Sequence, residues 1–168
     1  RAGKRAFVAR SSPGGEGKQT AEVLAKLGWQ VWLVSDTQLA GMARHGRLGV
    51  MILGCDAYSD TRFVNKIGSG GLAGLMNSAG KPVELWANEN KRLHSQEIRE
   101  LDIGTHEPSP HVATGIATPL PLFGTGMMDD IAVIRTPDDD IDPSQLAERP
   151  FKRTHPVPDY LKLENRAG

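Results

Sequence analysis

The 168-residue chain carries 20 Lys and Arg residues and 20 Asp and Glu residues, so its formal net charge is zero. This balance argues against electrostatic attraction to nucleic acids or to an anionic membrane, and we expect neither partner. Apolar residues make up 39% and charged residues 24% of the chain, a composition typical of one folded domain and not of extended disorder.

The single cysteine, Cys55, excludes an intramolecular disulfide and a zinc site built from cysteines. No apolar run approaches the roughly 20 residues of a membrane span, and the polar first residues do not form a signal peptide. We therefore expect a cytoplasmic protein that uses no metal and no cofactor. The chain begins with Arg1 instead of Met, which indicates a processed protein or a piece of a longer one.

Apolar runs of strand length alternate with amphipathic runs of helix length over the first half of the chain. Predicted strands cover residues 6–9, 30–34, 48–53 and 83–87, and predicted helices cover 17–27, 36–45 and 65–79. Because helices connect consecutive strands through short loops, right-handed crossovers and a parallel sheet are expected. The predicted fold class is α/β, a three-layer Rossmann-like parallel sheet with helices on both faces.

The second half of the chain has a weaker pattern. Residues 91–101 have the composition of a charged surface helix, and residues 131–134 that of an edge or final strand. Residues 102–130 are rich in Gly, Pro, Thr and His, which predicts a long excursion between elements. A short helical turn is predicted at residues 143–147.

One domain is expected over residues 1–149, followed by a polar, proline-containing tail over residues 150–168 that wraps a partner or is mobile. In a parallel open sheet, ligands bind beyond the carboxyl ends of the strands. Three predicted loops leave those ends, at residues 10–17, 35–37 and 54–66, and they contain most of the unusual residues of the chain. Asp36, a candidate ligand-binding carboxylate, lies in the second of these loops.

The first loop contains Gly14, Gly15 and Gly17 immediately before a predicted helix. Glycines allow backbone amides to approach an anion, and the start of a helix adds partial positive charge. Glu16 lies among these glycines, and Lys18 adds a full positive charge. The loop therefore predicts a phosphate site, with a plain strand-to-helix turn as the alternative.

The segment Pro13-Gly-Gly-Glu-Gly-Lys-Gln-Thr20 also resembles the deviant phosphate loop of ParA-type ATPases, Lys-Gly-Gly-x-Gly-Lys-Thr-Thr. Pro13 replaces the first lysine and Gln19 replaces the magnesium-binding threonine. A Walker A motif also requires Ser or Thr after Gly-Lys. Nucleotide binding of this type is a minor alternative.

The third loop places Asp56 after a predicted strand and Asn65, Lys66 and Gly68 at the start of a predicted helix. A carboxylate at a strand end can transfer protons, and a lysine beside helix amides can hold a phosphate. The alternatives are a solvated or capping role for Asp56 and a plain N-cap role for Asn65.

Four motifs, the first of them in two parts, carry a family resemblance. Gly54-Cys-Asp56 and Val64-Asn-Lys-Ile-Gly-Ser69 resemble the Gly-Ala-Asp-Arg … Val-Asn-Lys-Ile-Gly-Thr signature of the initiation factor 2B and methylthioribose-1-phosphate isomerase superfamily. Ser12-Pro-Gly-Gly-Glu-Gly-Lys-Gln-Thr-Ala-Glu22 is similar to its Ser-Arg-Pro-x-x-Glu-Gly-x-x-x-Ala-Glu segment. Val34-Ser-Asp-Thr37 and Pro137-Asp-Asp-Asp-Ile-Asp-Pro143 match its Ile-Thr-Asp-Ser and Asn-Pro-x-Phe-Asp-x-Thr-Pro motifs, in the same order.

The resemblance implies a Rossmann-like domain that forms oligomers and binds a phosphorylated sugar or nucleotide. In the isomerases the position of Asp56 is the catalytic acid/base, and those of Asn65 and Lys66 contact the sugar phosphate. The position of Glu16 is often Gln there and lies by the substrate. The resemblance therefore implies aldose–ketose isomerisation of a ribose-1-phosphate derivative, with a non-catalytic regulatory or assembly subunit as the alternative.

The chain departs from the family at two arginines, which are replaced by Ser12 and Ala57. The isomerases also carry a catalytic cysteine and a phosphate-binding Arg-Gly-Ala segment upstream of this domain. Cys55 does not match that cysteine, and a small buried residue at a strand end is the expected role for it.

Two further groups of residues do not have the spacing of a metal site. His106 and His111 lie in a proline-rich segment without regular ligand spacing. The acidic run at residues 138–142 lacks the spaced ligands and turn glycine of an EF-hand loop, so a solvated acidic turn is expected.

Overall fold

The computed structural model describes residues 3–11, 15–100 and 123–151. The strands are β1 Arg5–Ala9, β2 Gln30–Val34, β3 Met51–Gly54, β4 Ala57–Tyr58, β5 Arg62–Lys66, β6 Val83–Trp86, β7 Phe123–Met127, β8 Val133–Arg135 and β9 Asp140–Ile141. The helices are α1 Gly17–Lys26, α2 Asp36–Arg44, α3 Ser69–Ser78 and α4 Ser95–Glu100. Short 3-10 turns cover Glu89–Lys91, Met128–Asp130 and Pro143–Glu148.

The predicted α/β fold is confirmed. β1 pairs in parallel with β2, and β3, β6 and β8 form a second parallel ladder, to which β9 adds an antiparallel edge. Helices α1, α2 and α3 follow β1, β2 and β5 in the chain. Within each of these two parallel ladders, the strands therefore end at the same edge.

The predicted helix over residues 65–79 is wrong in its first turn. Asn65 and Lys66 belong to β5, which lies between β4 and β7 in a three-stranded antiparallel sheet, and α3 begins only at Ser69. Gly68 precedes the helix with a φ of 91°, a left-handed conformation that glycine adopts without strain. Phe63 of β5 is fully buried in this small sheet. Pairing with β7, which is distant in sequence, therefore makes residues 62–66 a strand and not the start of a helix.

Other element boundaries shift by a few residues. The third strand begins at Met51 instead of residue 48, and the strand predicted at residues 131–134 is Val133–Arg135. Asp36 is the first helical residue of α2, because Ser35 is the N-cap and forms a capping box with Gln38. The predicted surface helix at residues 91–101 is the shorter α4.

The core lies on one face of the β3–β6–β8 ladder. Val83 and Leu85 of β6 are fully buried and belong to the same cluster as Ala73 and Met76 of α3. On the other face, Ile52 of β3 and Trp86 of β6 are 51% and 52% exposed. Within the described residues, helices therefore leave part of this second face open, whereas the sequence predicted a sheet covered on both sides.

Two backbone approaches depend on glycine. A Cβ at Gly17 would overlap the carbonyl oxygen of Ala9, because the start of α1 lies directly against the end of β1. A Cβ at Gly70 would overlap the carbonyl oxygen of Thr125 in β7. The first contact holds α1 against the end of β1, and the second holds α3 against β7.

The beginning of the predicted tail packs on the domain. The Arg92 guanidinium donates to the carbonyl oxygens of Arg149 and Pro150 at 3.1 and 3.2 Å, and Phe151 stacks on His94 with ring centroids 4.0 Å apart. Residues 152–168 lie outside the described residues, so the tail boundary remains a prediction. Across the described ranges, no helix is both long and apolar enough to cross a membrane.

Candidate functional site

Asp56 lies at a β-bulge after the carboxyl end of β3. Its amide donates to the carbonyl oxygen of Val64 at 2.8 Å, and Val64 is also the register partner of Ala57. Two consecutive residues therefore face one residue of β5. Bulges of this kind redirect a side chain and occur often beside functional sites. The half-buried Asp56 thus lies next to the segment that carries Asn65 and Lys66.

Lys66 connects this segment to the loop that follows β1. Its ammonium group donates to the carbonyl oxygen of Ser11 at 3.2 Å and forms an ion pair with the Glu16 carboxylate. The Lys66 side chain is 21% exposed and that of Glu16 is 63% exposed. The loops after the first and third strands therefore meet at a cation that is still accessible from solvent.

The ion pair changes the acidity of Glu16. The hydrogen bond from Lys66 is the largest cause that lowers the pKa of the Glu16 carboxyl below its usual value. At neutral pH this carboxylate therefore remains charged and offsets the charge of Lys66. An incoming phosphate must compete with it or approach Lys66 from its remaining open side.

Asn65 has a role different from the predicted N-cap. Its side-chain amide donates to the Ser69 hydroxyl at 3.2 Å, so it contacts the first turn of α3 from the neighbouring strand. Gly68 provides the N-cap position instead. The predicted group of Asn65, Lys66 and the amides near Gly68 is thus assembled at a strand–helix junction.

The other predicted residues lie at the ends of β1 and β2. Gly15 has a φ of 74°, and its amide donates to the Ser11 carbonyl oxygen at 2.9 Å. Gly17 is buried at the start of α1, and Asp36 is exposed at the start of α2. Gly14 lies outside the described residues.

The ParA-type interpretation depends on the same glycine-rich loop. Lys18 is exposed on the first turn of α1. Because residues 12–14 lie outside the described residues, this minor alternative remains a prediction.

Cys55 is buried, as expected from the sequence, and burial raises the pKa of its thiol to about 12. Lys91 donates from its ammonium group to the Cys55 carbonyl oxygen at 2.6 Å. Lys91 and Asp56 also shift the Cys55 pKa in opposite directions, so both charges lie near the same strand end. A protonated, buried thiol is a poor nucleophile.

Sequence reasoning missed Ser11, Ser69 and Lys91 as contacts of this site. Ser69 was the last residue of a matched motif, and Lys91 follows the carboxyl end of a predicted strand, so both had a usable signal. Ser11 contributes only a backbone carbonyl, for which residue type gives no signal.

No group of three or more potential metal ligands occurs among the described residues. His106 and His111 lie outside them. In the acidic turn, Asp139 pairs with Arg149 and Asp140 with Arg135, and Asp142 accepts a hydrogen bond from the Ser144 amide. These carboxylates thus take part in the structure of the turn.

Solved structures with a similar fold include translation initiation factors and an isomerase. Translation initiation factor eIF-2B subunit delta from A. fulgidus aligns with a TM-score of 0.66 and 17% identity over 84% of this chain and 44% of its own. The 5-methylthioribose 1-phosphate isomerase from Pyrococcus horikoshii OT3 aligns with a TM-score of 0.69 and 23% identity, over 86% and 44%. The chain has the fold of these proteins.

A translation initiation factor eIF-2B structure from P. horikoshii OT3 aligns similarly, with a TM-score of 0.67 and 22% identity over 84% of this chain and 50% of its own. The resemblance found in the sequence is therefore confirmed at the level of the fold. The chain spans half or less of the length of these structures. No protein-family model and no curated protein sequence matches the chain.

Proposed function

We propose that the chain binds a phosphorylated sugar at the strand-end edge formed by Asp56, Asn65 and Lys66. The contact of Lys66 with both Ser11 and Glu16 carries this proposal. It brings the cation at the end of β5 to the glycine-rich loop that follows β1. A partly exposed ammonium group beside backbone amides at the start of a helix is suited to a phosphate dianion.

The reaction that fits this site best is isomerisation of a ribose 1-phosphate derivative to a ketose 1-phosphate. In this reaction the bond between C1 and the ring oxygen breaks, and the ring oxygen gains a proton. The hydrogen on C2 moves to C1, and the C2 hydroxyl gives up its proton as the carbonyl forms. A carboxylate such as Asp56 can accept one proton and deliver the other, so no oxidant is needed.

Turnover tests the catalytic part of the proposal. Asp56→Asn should abolish isomerisation of ribose 1-phosphate and of 5-methylthioribose 1-phosphate while leaving the melting temperature within a few degrees. Asp60→Asn, a change to another carboxylate of the same region, is the control. Unchanged turnover in Asp56→Asn would overturn the role given to Asp56.

A non-catalytic regulatory or assembly role is the second candidate, and Ala57 favours it. Ala57 is 1% exposed, and the resembling family carries an arginine at this position beside the acid. A site without that charge still binds a sugar phosphate through Lys66. Sugar-phosphate binding without turnover in the full-length protein would support this role and exclude isomerisation.

We also infer that the chain works in an oligomer, either with copies of itself or with a different subunit, in the cytoplasm. The half-exposed Ile52 of β3 supports an assembly that covers more of the sheet. Sedimentation velocity tests the assembly of copies, since a monomer at micromolar concentration contradicts a homo-oligomer and leaves only assembly with a different subunit.

A further inference from the structure

A second feature lies along the same edge, at the carboxyl ends of β6 and β8. It is an open trough of about 480 Å³, a volume within the range of small-molecule sites. Its lining includes Trp86, Asn88, Lys91, Arg135, Thr136 and Pro137. Apart from Lys91, these residues are not used by the sugar-phosphate site proposed above.

The Trp86 indole is held in place by its neighbours on the sheet. Its ring nitrogen donates to the Glu84 carboxylate at 3.0 Å. Arg135 binds the same carboxylate through two donors at 2.6 and 2.9 Å and also pairs with Asp140. An indole fixed in this way offers a flat surface without an ordering cost at binding.

One side of that surface is open. Trp86 lies between Arg135 on β8 and Gly54 on β3 in the register of the sheet. A Cβ at Gly54 would meet no atom of the described residues within 4 Å, so among them space remains beside the indole on this side. Gly54 is two residues before Asp56 in the chain, so the two Cα atoms lie within roughly 7 Å of each other.

Lys91 borders both regions. It lines the trough, and its ammonium group donates to the carbonyl oxygen of Cys55, the residue before Asp56. An ammonium group has three donors, so Lys91 can bind a ligand hydroxyl group in addition to the Cys55 carbonyl oxygen. Glu84 and Asp140 neutralise the charge of Arg135. The trough therefore offers no unpaired arginine for a second phosphate on the ligand.

We propose that the trough receives a flat aromatic substituent carried by the sugar phosphate at the end away from its phosphate. The ligand then lies along the edge, with its phosphate at Lys66, its reacting carbons at Asp56 and its aromatic group on Trp86. This inference rests on the proposed function and names the substrate class: a ribose 1-phosphate with an aromatic group at C5.

Calorimetric titration tests the proposal with three probes: ribose 1-phosphate, 5-phenylthioribose 1-phosphate and 5-phenylthioribose without phosphate. We expect the phenylthio phosphate to bind at least tenfold more tightly than ribose 1-phosphate. Trp86→Ala should remove this preference without changing the affinity for ribose 1-phosphate. Trp32→Ala, which removes another partly exposed indole on a strand, is the matched control and should retain the preference.

Gly54→Leu is a second variant that does not depend on the Trp86 hydrogen bond. It fills the open space beside the indole, so it should also remove the preference. If ribose 1-phosphate binds but the phenyl group adds nothing, or if its gain survives in Trp86→Ala, the aromatic subsite is wrong and the proposed function stands.

The third probe separates the two proposals. If 5-phenylthioribose without phosphate binds in a Trp86-dependent manner while ribose 1-phosphate does not bind, the subsite is supported and the phosphate site is wrong. If none of the three probes binds, both proposals are overturned.

Discussion

Lys66 pairs with Glu16 across 50 residues of sequence, and this pair joins the loop after the first strand to the sheet that follows the third strand. The same ammonium group donates to the Ser11 carbonyl oxygen at 3.2 Å. Two segments that the sequence identified separately are therefore parts of one site. The charge of Glu16 sets how much of the Lys66 charge is available to a ligand.

Glu16→Gln should tighten the binding of ribose 1-phosphate several-fold, because the amide no longer offsets the charge of Lys66. The lowered pKa of Glu16 means that the wild-type carboxylate is fully ionised at pH 7, where the comparison is made. Isothermal titration calorimetry gives both affinities. Weaker binding in the variant would mean that Glu16 positions Lys66 instead of competing for it.

Gly17→Ala should lower the free energy of unfolding by about 1–3 kcal/mol, because the new Cβ overlaps the Ala9 carbonyl oxygen. Gly41→Ala is the matched control within helix α2, where a Cβ meets no atom within 4 Å. This control should raise the free energy of unfolding by about 0.4–1 kcal/mol. Urea unfolding of the two variants measures both effects, and equal effects would contradict the close packing of α1.

Glu84 should make the stability depend on pH in the acid range. Hydrogen bonds from Arg135 and then Trp86 lower the pKa of Glu84 from 4.5 to about 2. For a lowered carboxyl pKa, the stabilisation is present above the unfolded value and is lost as the pH falls through the folded value. The contribution of Glu84 is therefore complete above about pH 4.5 and declines toward pH 2.

Glu84→Gln should lower the free energy of unfolding by about 1–2 kcal/mol at pH 7, and the difference from wild type should shrink toward pH 2. Urea titrations at pH 7 and pH 3 measure this change. Glu22→Gln, at an exposed position of α1, is the control and should stay within about 0.5 kcal/mol of wild type. If the difference in the free energy of unfolding between Glu84→Gln and wild type does not change with pH, the Glu84–Arg135 ion pair is not its source.

Tyr58→Phe should not destabilise the protein. The Tyr58 hydroxyl is buried and has no hydrogen-bond partner among the described residues, and burial raises its pKa to about 12. Removing an unpaired buried hydroxyl avoids its desolvation cost, so the free energy of unfolding should stay equal or rise by up to about 1 kcal/mol. Thermal and urea unfolding measure this change. A decrease in the free energy of unfolding larger than about 1 kcal/mol would show that the hydroxyl has a hydrogen-bond partner.

The parallel strands and the first two helices were predictable because their patterns are local. The apolar run that predicts β2 and the capping box between Ser35 and Gln38 each depend on a few consecutive residues. The apolar run of the third predicted strand located Asp56 at a strand end, and the resemblance to a known family then implied its role. These features follow from short-range periodicity and capping.

The small antiparallel sheet was not predictable in the same way. β5 pairs with β7, which lies about 60 residues later, so the partner that stabilises Asn65 and Lys66 as a strand is absent from the local pattern. The open face with Trp86 was also missed. Apolar strand residues indicate burial, but periodicity alone does not tell which element provides the cover.

Direct titration of ribose 1-phosphate tests the central claim, that Lys66 anchors a sugar phosphate at this edge. The account predicts one site in the wild-type protein and at least tenfold weaker binding in Lys66→Met, a loss of about 1.4 kcal/mol or more. Lys26→Met, at the exposed end of α1, should bind like wild type. Equal affinity of Lys66→Met and wild type would contradict the account.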